Sequence, residues 1–362
     1  MPKIFKNISF YLRRTDGLLW FITILTSIYC LLLLKSVSRV PATDTAFSKQ
    51  LFAIAVGYFG AVLVTLIDYR VIANYWKLIA LVCLALFIIT SIFAKSVTGE
   101  NGIDARAWLR LQASELAKIG FMITFSKHLA YLKEKNKLDS FLHILGLLGH
   151  ALIPMGFTQA LGDTGAAIIF FFMFLTMSFA AGVKLRYFVI LLTSIIALLP
   201  FAWKYVLSDY QKLRILAIVD TTLDPFIVRY QQLQGEISIG SGQIFGRGLF
   251  KGPRVSAQFV PVQDSDLIFS VAGEELGFIG CMLILIILLI LLIRVFQAAL
   301  KSCDDLGSYI CFGFFGMISS QIVFNLGMCL SLLPVMGVTL PFFSYGGTSI
   351  SCMFLGIGLV QN

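Results

Sequence analysis

The chain has 362 residues, of which 58% are hydrophobic and 13% charged, and its 28 Lys and Arg against 19 Asp and Glu leave a formal charge of +9 at pH 7. A water-facing domain is about 25% charged, so these figures, with a mean hydropathy of +0.90, exclude the soluble and the disordered classes. At ~20 residues per crossing, a chain of this length holds about ten membrane spans.

Runs with little or no charge predict membrane helices near residues 17–34, 51–67, 78–94, 115–132, 141–157, 166–183, 187–206, 267–293, 308–328 and 344–360. Residues 1–362 therefore read as a single integral membrane domain of the all-α, polytopic class. The first run follows Lys3, Lys6, Arg13 and Arg14 and has no A-x-A cleavage site, so it reads as an uncleaved anchor. With that run starting inside, Arg70, Lys77, Lys133, Lys135, Lys137, Lys184, Arg186, Arg294 and Lys301 join those four on the cytoplasmic side. Only Lys35, Arg39, Lys49, Lys95, Arg106 and Arg110 fall in the short loops opposite. This bias predicts that both termini are cytoplasmic, and it explains the basic charge without nucleic acid.

A charge in mid-span costs about 2.5 to 3.5 kcal/mol, so polar intrusions need a partner or a task. In chain order, the first follows Arg106 and Trp108: Glu115 and Lys118 open the fourth span three residues apart, where they can meet on one helix face. That pair reads either as a structural ion pair or as a cation offered to an anionic group. Asp163 opens the sixth span, where capping alone could account for it.

Between the seventh and eighth spans, residues 207–265 form one long extracytoplasmic loop, the sole connection too long to be a simple turn. Its opening, Ser208 to Asp224, mixes charge with Leu and Ile as in a helix lying in the headgroup layer. The glycines from Gly240 to Gly252 read as tight turns or as a backbone cradle for phosphate. At its end, a helix taken from Asp266 would stack Asp266, Ser270 and Glu274 as a polar stripe on one face. Last, Pro334 to Ser349 reads PVMGVTLPFFSYGGTS, irregular backbone of the kind tolerated at membrane depth only where protein or a wet cavity satisfies it.

Seven cysteines show no CxxC spacing and read as buried hydrophobes. His128, His143 and His150 have no ligand spacing; His143 and His150 could share a helix face, and side chains that satisfy each other fit better than a metal site.

These motifs resemble, in order and nearly end to end, those of the SEDS family of bacterial shape, division and sporulation proteins (RodA, FtsW, SpoVE). The most specific stretch runs from Asn325-Leu326-Gly327 through Leu333-Pro334-Val335-Met336-Gly337 to Leu340-Pro341-Phe342-Phe343-Ser344-Tyr345-Gly346-Gly347-Thr348-Ser349. SELAK at 114–118, IGSGxxFGRG at 239–248 and SDLIFSVAGEELG at 265–277 support it. The PFFSYGG string leans towards RodA, while GEELG is also common in FtsW.

The resemblance implies a peptidoglycan glycosyltransferase that polymerises lipid II into glycan strands, with Asp266 as the catalytic residue. It carries Arg106, Glu115, Lys118 and Asp163 into substrate binding, and we add Ser270, Glu274, Ser344 and Tyr345 from the polar stripe and the irregular loop. A class B penicillin-binding transpeptidase is the implied partner, undecaprenyl-linked glycan the product, and the bacterial inner membrane the location. A divalent cation, Mg or Mn, is a candidate cofactor, with no protein metal ligands assigned. The chain departs from the family pattern at Asp264, Ser265, Gln258 and Leu161, where His, Thr, an acidic residue and Gln are usual. Asp266, as general base, would take the proton of the acceptor 4-hydroxyl. A lipid II flippase is the alternative, since ten spans with polar stripes and broken helices also suit transporters.

Overall fold

The computed structural model describes residues 15–39, 45–97, 112–205, 207, 209–219 and 229–362. Arg106, Trp108 and Arg110 lie outside the described residues. The described elements are helices α1 (Gly17–Val37), α2 (Ala46–Leu66), α3 (Tyr69–Asn74), α4 (Trp76–Val97), α5 (Ala113–Glu134), α6 (Phe141–Ala160) and α7 (Thr164–Ala180). They continue as α8 (Leu185–Tyr205), α9 (Asp209–Val219), α10 (Tyr230–Ser241), α11 (Pro253–Ser256), α12 (Ile268–Lys301), α13 (Asp305–Cys329) and α14 (Gly347–Gln361).

Six of these, α1, α2, α6, α8, α12 and α13, are long and apolar enough to cross a membrane. Three shorter apolar helices within α4, α7 and α14, together with the more polar α5, complete ten end-to-end helices among the described residues. The protein is a multi-pass membrane protein. Its most buried helices, α5 and α13, form the centre, whereas the apolar residues of α8 lie exposed, as a lipid-facing helix requires. Around that centre α14 packs on α2, α7 on α13, and α12 on both α13 and α10.

Polar contacts hold one end of the bundle together. The Asp16 side chain caps α1 by accepting from the N–H groups of Leu18 (3.0 Å) and Leu19 (3.3 Å). It also pairs with Arg294 of α12, while its backbone N–H donates to the Gln361 side chain at 2.7 Å. The start of α1 and the end of α14 therefore lie at the same end of the bundle. Arg70 and Lys133 pair with Asp304 and Asp305 at that end too.

Among its described residues the long connection forms three helices. It holds α9, within the stretch expected to be amphipathic, then α10 and α11. Its glycine-rich part packs against the start of α12. The span expected at 267–293 runs from Ile268 to Lys301 and is broken at Gly277, whose φ of 67° and ψ of −161° suit glycine alone. The glycine-rich segment satisfies the backbone groups that this break frees. The N–H groups of Phe278 and Ile279 donate to the carbonyls of Gln243 (2.8 Å) and Ile244 (3.2 Å), and those of Arg247 and Gly248 to the carbonyls of Glu274 and Glu275 (2.9 Å each). Arg247 and Gly248 thus spend their amides on α12 rather than on a phosphate. The approach is so close that a Cβ on Gly246 would lie 2.1 Å from the Glu275 carbonyl oxygen.

Five of the seven cysteines are buried and Cys303 is exposed; all are free thiols. The histidine that pairs with His150 is His128, on α5, at 3.2 Å between Nδ1 atoms, rather than His143.

Candidate active site at the mouth of the bundle

Asp266 lies in the turn that leads into α12, one residue before the Leu267 cap, and three consecutive carbonyls of this turn are held by side chains or backbone from elsewhere. The Tyr345 N–H donates to the Asp264 carbonyl at 2.8 Å. Ser344 Oγ donates to the Ser265 carbonyl at 2.6 Å, and Asn325 Nδ2 to the Asp266 carbonyl at 2.8 Å. Asn325 Nδ2 also donates to the Val338 carbonyl at 2.7 Å, so α13 ties the turn to the irregular 334–346 loop. That loop is in turn fixed to α2, because the Gln50 amide accepts from the Gly346 N–H (3.1 Å) and donates to the Ser344 carbonyl (3.1 Å).

The turn and the loop enclose a cavity of about 300 Å3 whose polar lining includes Asp266, Asp163, Glu115, Lys118, Gln321 and Tyr345. Asp163 caps α7 through the Ala166 N–H at 3.0 Å, as its position at the head of an apolar run predicts. Its second oxygen accepts from Ser114 Oγ (3.0 Å) and Gln112 Nε2 (3.3 Å), which joins the starts of α5 and α7. Lys118 Nζ meets Glu115 Oε1 at 2.8 Å, with side-chain exposures of 1% and 6%. The second Glu115 oxygen is buried without a hydrogen-bond partner among the described residues.

Burial pushes the Asp266 carboxyl up to about 6, helped by the negative charges of Asp264 and Asp163. Burial also raises Asp264. At neutral pH Asp266 is then mostly ionised and is a stronger base than a solvated carboxylate, which is the condition for accepting a proton from an alcohol.

Of the candidate residues, the structure brings Asp266, Asp163, Glu115, Lys118 and Tyr345 to one cavity. Ser344 stands behind it as a clamp, accepting from the Leu340 N–H at 2.8 Å while it holds Ser265. The expected stripe of Asp266, Ser270 and Glu274 is not a single helical face, because α12 begins at Ile268, after Asp266. Ser270 packs against Gly235 of α10, and Glu274 accepts from the Arg254 N–H at 2.8 Å, away from the cavity. Gln321 is the wall residue that pattern reading passes over: it is 1% exposed, and neither amide atom has a hydrogen-bond partner among the described residues. Each such group costs about 1–3 kcal/mol to bury unpaired. A glutamine inside the apolar run 308–328 was the available signal.

The donor set does not suit a resident divalent cation. Among the described residues no three His, Cys, Asp or Glu side chains converge to hold one. Asp163 is already engaged by Gln112, Ser114 and the α7 backbone. These residues do not make a resident metal site.

A sequence profile of the FtsW/RodA/SpoVE cell cycle protein family matches residues 16–362. The chain belongs to this family. Stage V sporulation protein E of Bacillus subtilis is 30% identical over 361 residues, covering 96% of each chain. A probable peptidoglycan glycosyltransferase FtsW of Geobacter metallireducens is 31% identical over 368 residues, covering 97% of this chain and 95% of that one. Among solved structures, a chain from a peptidoglycan synthase complex described as coordinating polymerization and crosslinking superposes with a TM-score of 0.75 at 23% identity, covering 96% of both chains. The FtsW/RodA/SpoVE assignment thus rests on nearly the whole chain, and the likeness in structure bears on the fold.

Proposed function

We propose that this protein is a peptidoglycan glycosyltransferase that polymerises lipid II into glycan strands at the outer face of the bacterial cytoplasmic membrane. Asp266 serves as the general base. The observation that carries the reading is the Asp266 carboxylate, partly buried on the wall of a polar cavity beside α12 and raised by that burial to about 6. The FtsW relative, matched along nearly the full chain, carries a name that agrees with it.

In the reaction, the 4-hydroxyl of an acceptor N-acetylglucosamine attacks the anomeric carbon of a lipid-linked donor. The glycosidic bond forms as the bond to undecaprenyl pyrophosphate breaks, and the hydroxyl proton passes to Asp266. Pyrophosphate needs no proton to leave if its charge is neutralised. Arg106, which the family resemblance carries into substrate binding, is the residue proposed for that task. Lys118, Glu115, Asp163 and Tyr345 would hold the sugars. Clamping of the turn by Ser344 and Asn325 supports a fixed base, which proton transfer requires.

The partner proposed for the protein is a class B penicillin-binding transpeptidase, in keeping with the synthase complex whose chain shares this fold. Both termini are proposed to be cytoplasmic, which places Asp266 on the outer side. The test is polymerisation of fluorescent lipid II by the purified full chain in detergent, with and without the transpeptidase and with and without EDTA. Polymer from the wild type and none from a folded Asp266→Asn variant is the expected result; a flippase would make no polymer, and full activity of Asp266→Asn would remove the assignment.

A further inference from the structure

We propose that Gln321 positions the sugar in the Asp266 cavity by pairing with its 2-acetamido group, an inference that rests on the glycosyltransferase reading. Gln321 and Asn325 occupy successive turns of one face of α13 and carry the same amide chemistry, yet their amides are used differently. Asn325 spends its N–H groups on the Asp266 and Val338 carbonyls. Gln321, at 1% exposure, lines the cavity with both Nε2 and Oε1 unpartnered among the described residues.

An amide that offers one donor and one acceptor side by side is complementary to a secondary amide, which returns one acceptor and one donor. On a saccharide, that group is the acetamido substituent. Other chemistries fit the wall less well. An anion would face Asp266, Asp163 and Glu115, and a cation has no reason to prefer a neutral carboxamide to those carboxylates. The helical turn that separates Gln321 from Asn325, about 5.4 Å, is comparable with the span of a pyranose ring between its 4-hydroxyl and its 2-substituent. A sugar whose hydroxyl meets Asp266 can therefore set its acetamido group deeper, towards Gln321.

The experiment compares polymerisation of lipid II with that of an analogue in which glucose replaces the N-acetylglucosamine, a neutral exchange of acetamido for hydroxyl. The enzyme is the purified full chain, wild type and Gln321→Leu, with its transpeptidase partner where activity requires it. Wild type should prefer lipid II by tenfold or more in kcat/KM, since a site built to hydrogen-bond one group rejects an analogue that lacks it. Gln321→Leu should lose tenfold or more on lipid II and retain a preference of twofold or less. Its melting temperature should equal or exceed that of the wild type, because no hydrogen bond among the described residues is lost. Should the leucine variant aggregate, Gln321→Met, unbranched and of similar length, replaces it. Unchanged activity, or an equal loss on both substrates, would overturn the role of Gln321 while leaving the glycosyltransferase intact. A wild type that makes no polymer from lipid II would overturn both.

Discussion

Asn325 reaches across from α13 to donate to the backbone carbonyl of Asp266 at 2.8 Å, and the same amide nitrogen holds Val338 at 2.7 Å. One side chain thereby fixes both the residue proposed as base and the loop that forms the opposite wall. Net contributions run at about 0.5–1.5 kcal/mol per bond, with more lost when buried acceptors are left bare. Asn325→Ala should therefore lower stability by about 2–3 kcal/mol and reduce polymerisation at least tenfold. Thermal melts and single-turnover rates on one preparation test this; wild-type rates with a lowered melting temperature would leave Asn325 a structural role only.

The pH profile follows from the raised Asp266 carboxyl. A base that must be ionised gives a rate that climbs with pH to a plateau, with the acid limb near 6. Asp264→Asn removes a neighbouring negative charge, which eases ionisation of Asp266 and should move the limb to lower pH. A limb that stays in place would show that Asp264 does not act on Asp266.

Stability should move in the opposite sense to activity. Because the folded state raises this carboxyl from 3.8 to about 6, the fold binds its proton more tightly than the unfolded chain does. Wild type is thus penalised progressively from about pH 4 upwards, by up to about 3 kcal/mol above pH 7. Asp266→Asn should be more stable than wild type at pH 8, with the difference vanishing below pH 4. Equal melts across that range would mean that the carboxyl is not desolvated.

Lys118 and Glu115 form a buried pair at 2.8 Å. Removing one partner strands a charge, at a cost of about 3–5 kcal/mol, whereas replacing both with apolar residues is often tolerated. Lys118→Met should express poorly, and Lys118→Met with Glu115→Leu should recover folding. Activity of the double variant then separates a structural pair from one that handles substrate: wild-type rates would assign it to structure.

Gly277→Ala is the backbone counterpart. An added Cβ would lie 2.3 Å from the Gly246 nitrogen, at a φ of 67°. We expect a variant that fails to accumulate or melts well below the wild type; a normal melt would mean that the break in α12 is not essential.

Much of this architecture was legible in the sequence because hydrocarbon imposes a length and a composition that soluble cores do not. All ten runs became helices, and Asp163 became the cap that its place before an apolar run implied. What misled was local periodicity applied where tertiary contacts decide. A helix drawn from Asp266 gives a stripe with Ser270 and Glu274, but the carbonyls of 264–266 are taken by Tyr345, Ser344 and Asn325, some 60 to 80 residues distant, and α12 starts later. The break at Gly277 was invisible for the same reason, since its hydrogen-bond partners lie in the preceding loop. Gln321 escaped notice because one amide hardly alters the hydropathy of a long span.

The ionic content of the cavity wall has a consequence for what can enter it. Among the described residues it sets three carboxylates, Glu115, Asp163 and Asp266, against the single ammonium of Lys118. That excess of negative charge repels a diphosphate and tolerates a neutral carbohydrate. For the lipid-linked sugar proposed as substrate, this charge would keep the phosphoryl groups outside the cavity. Only sugar would then cross the threshold, and electrostatics alone would orient the molecule before any side chain recognised it.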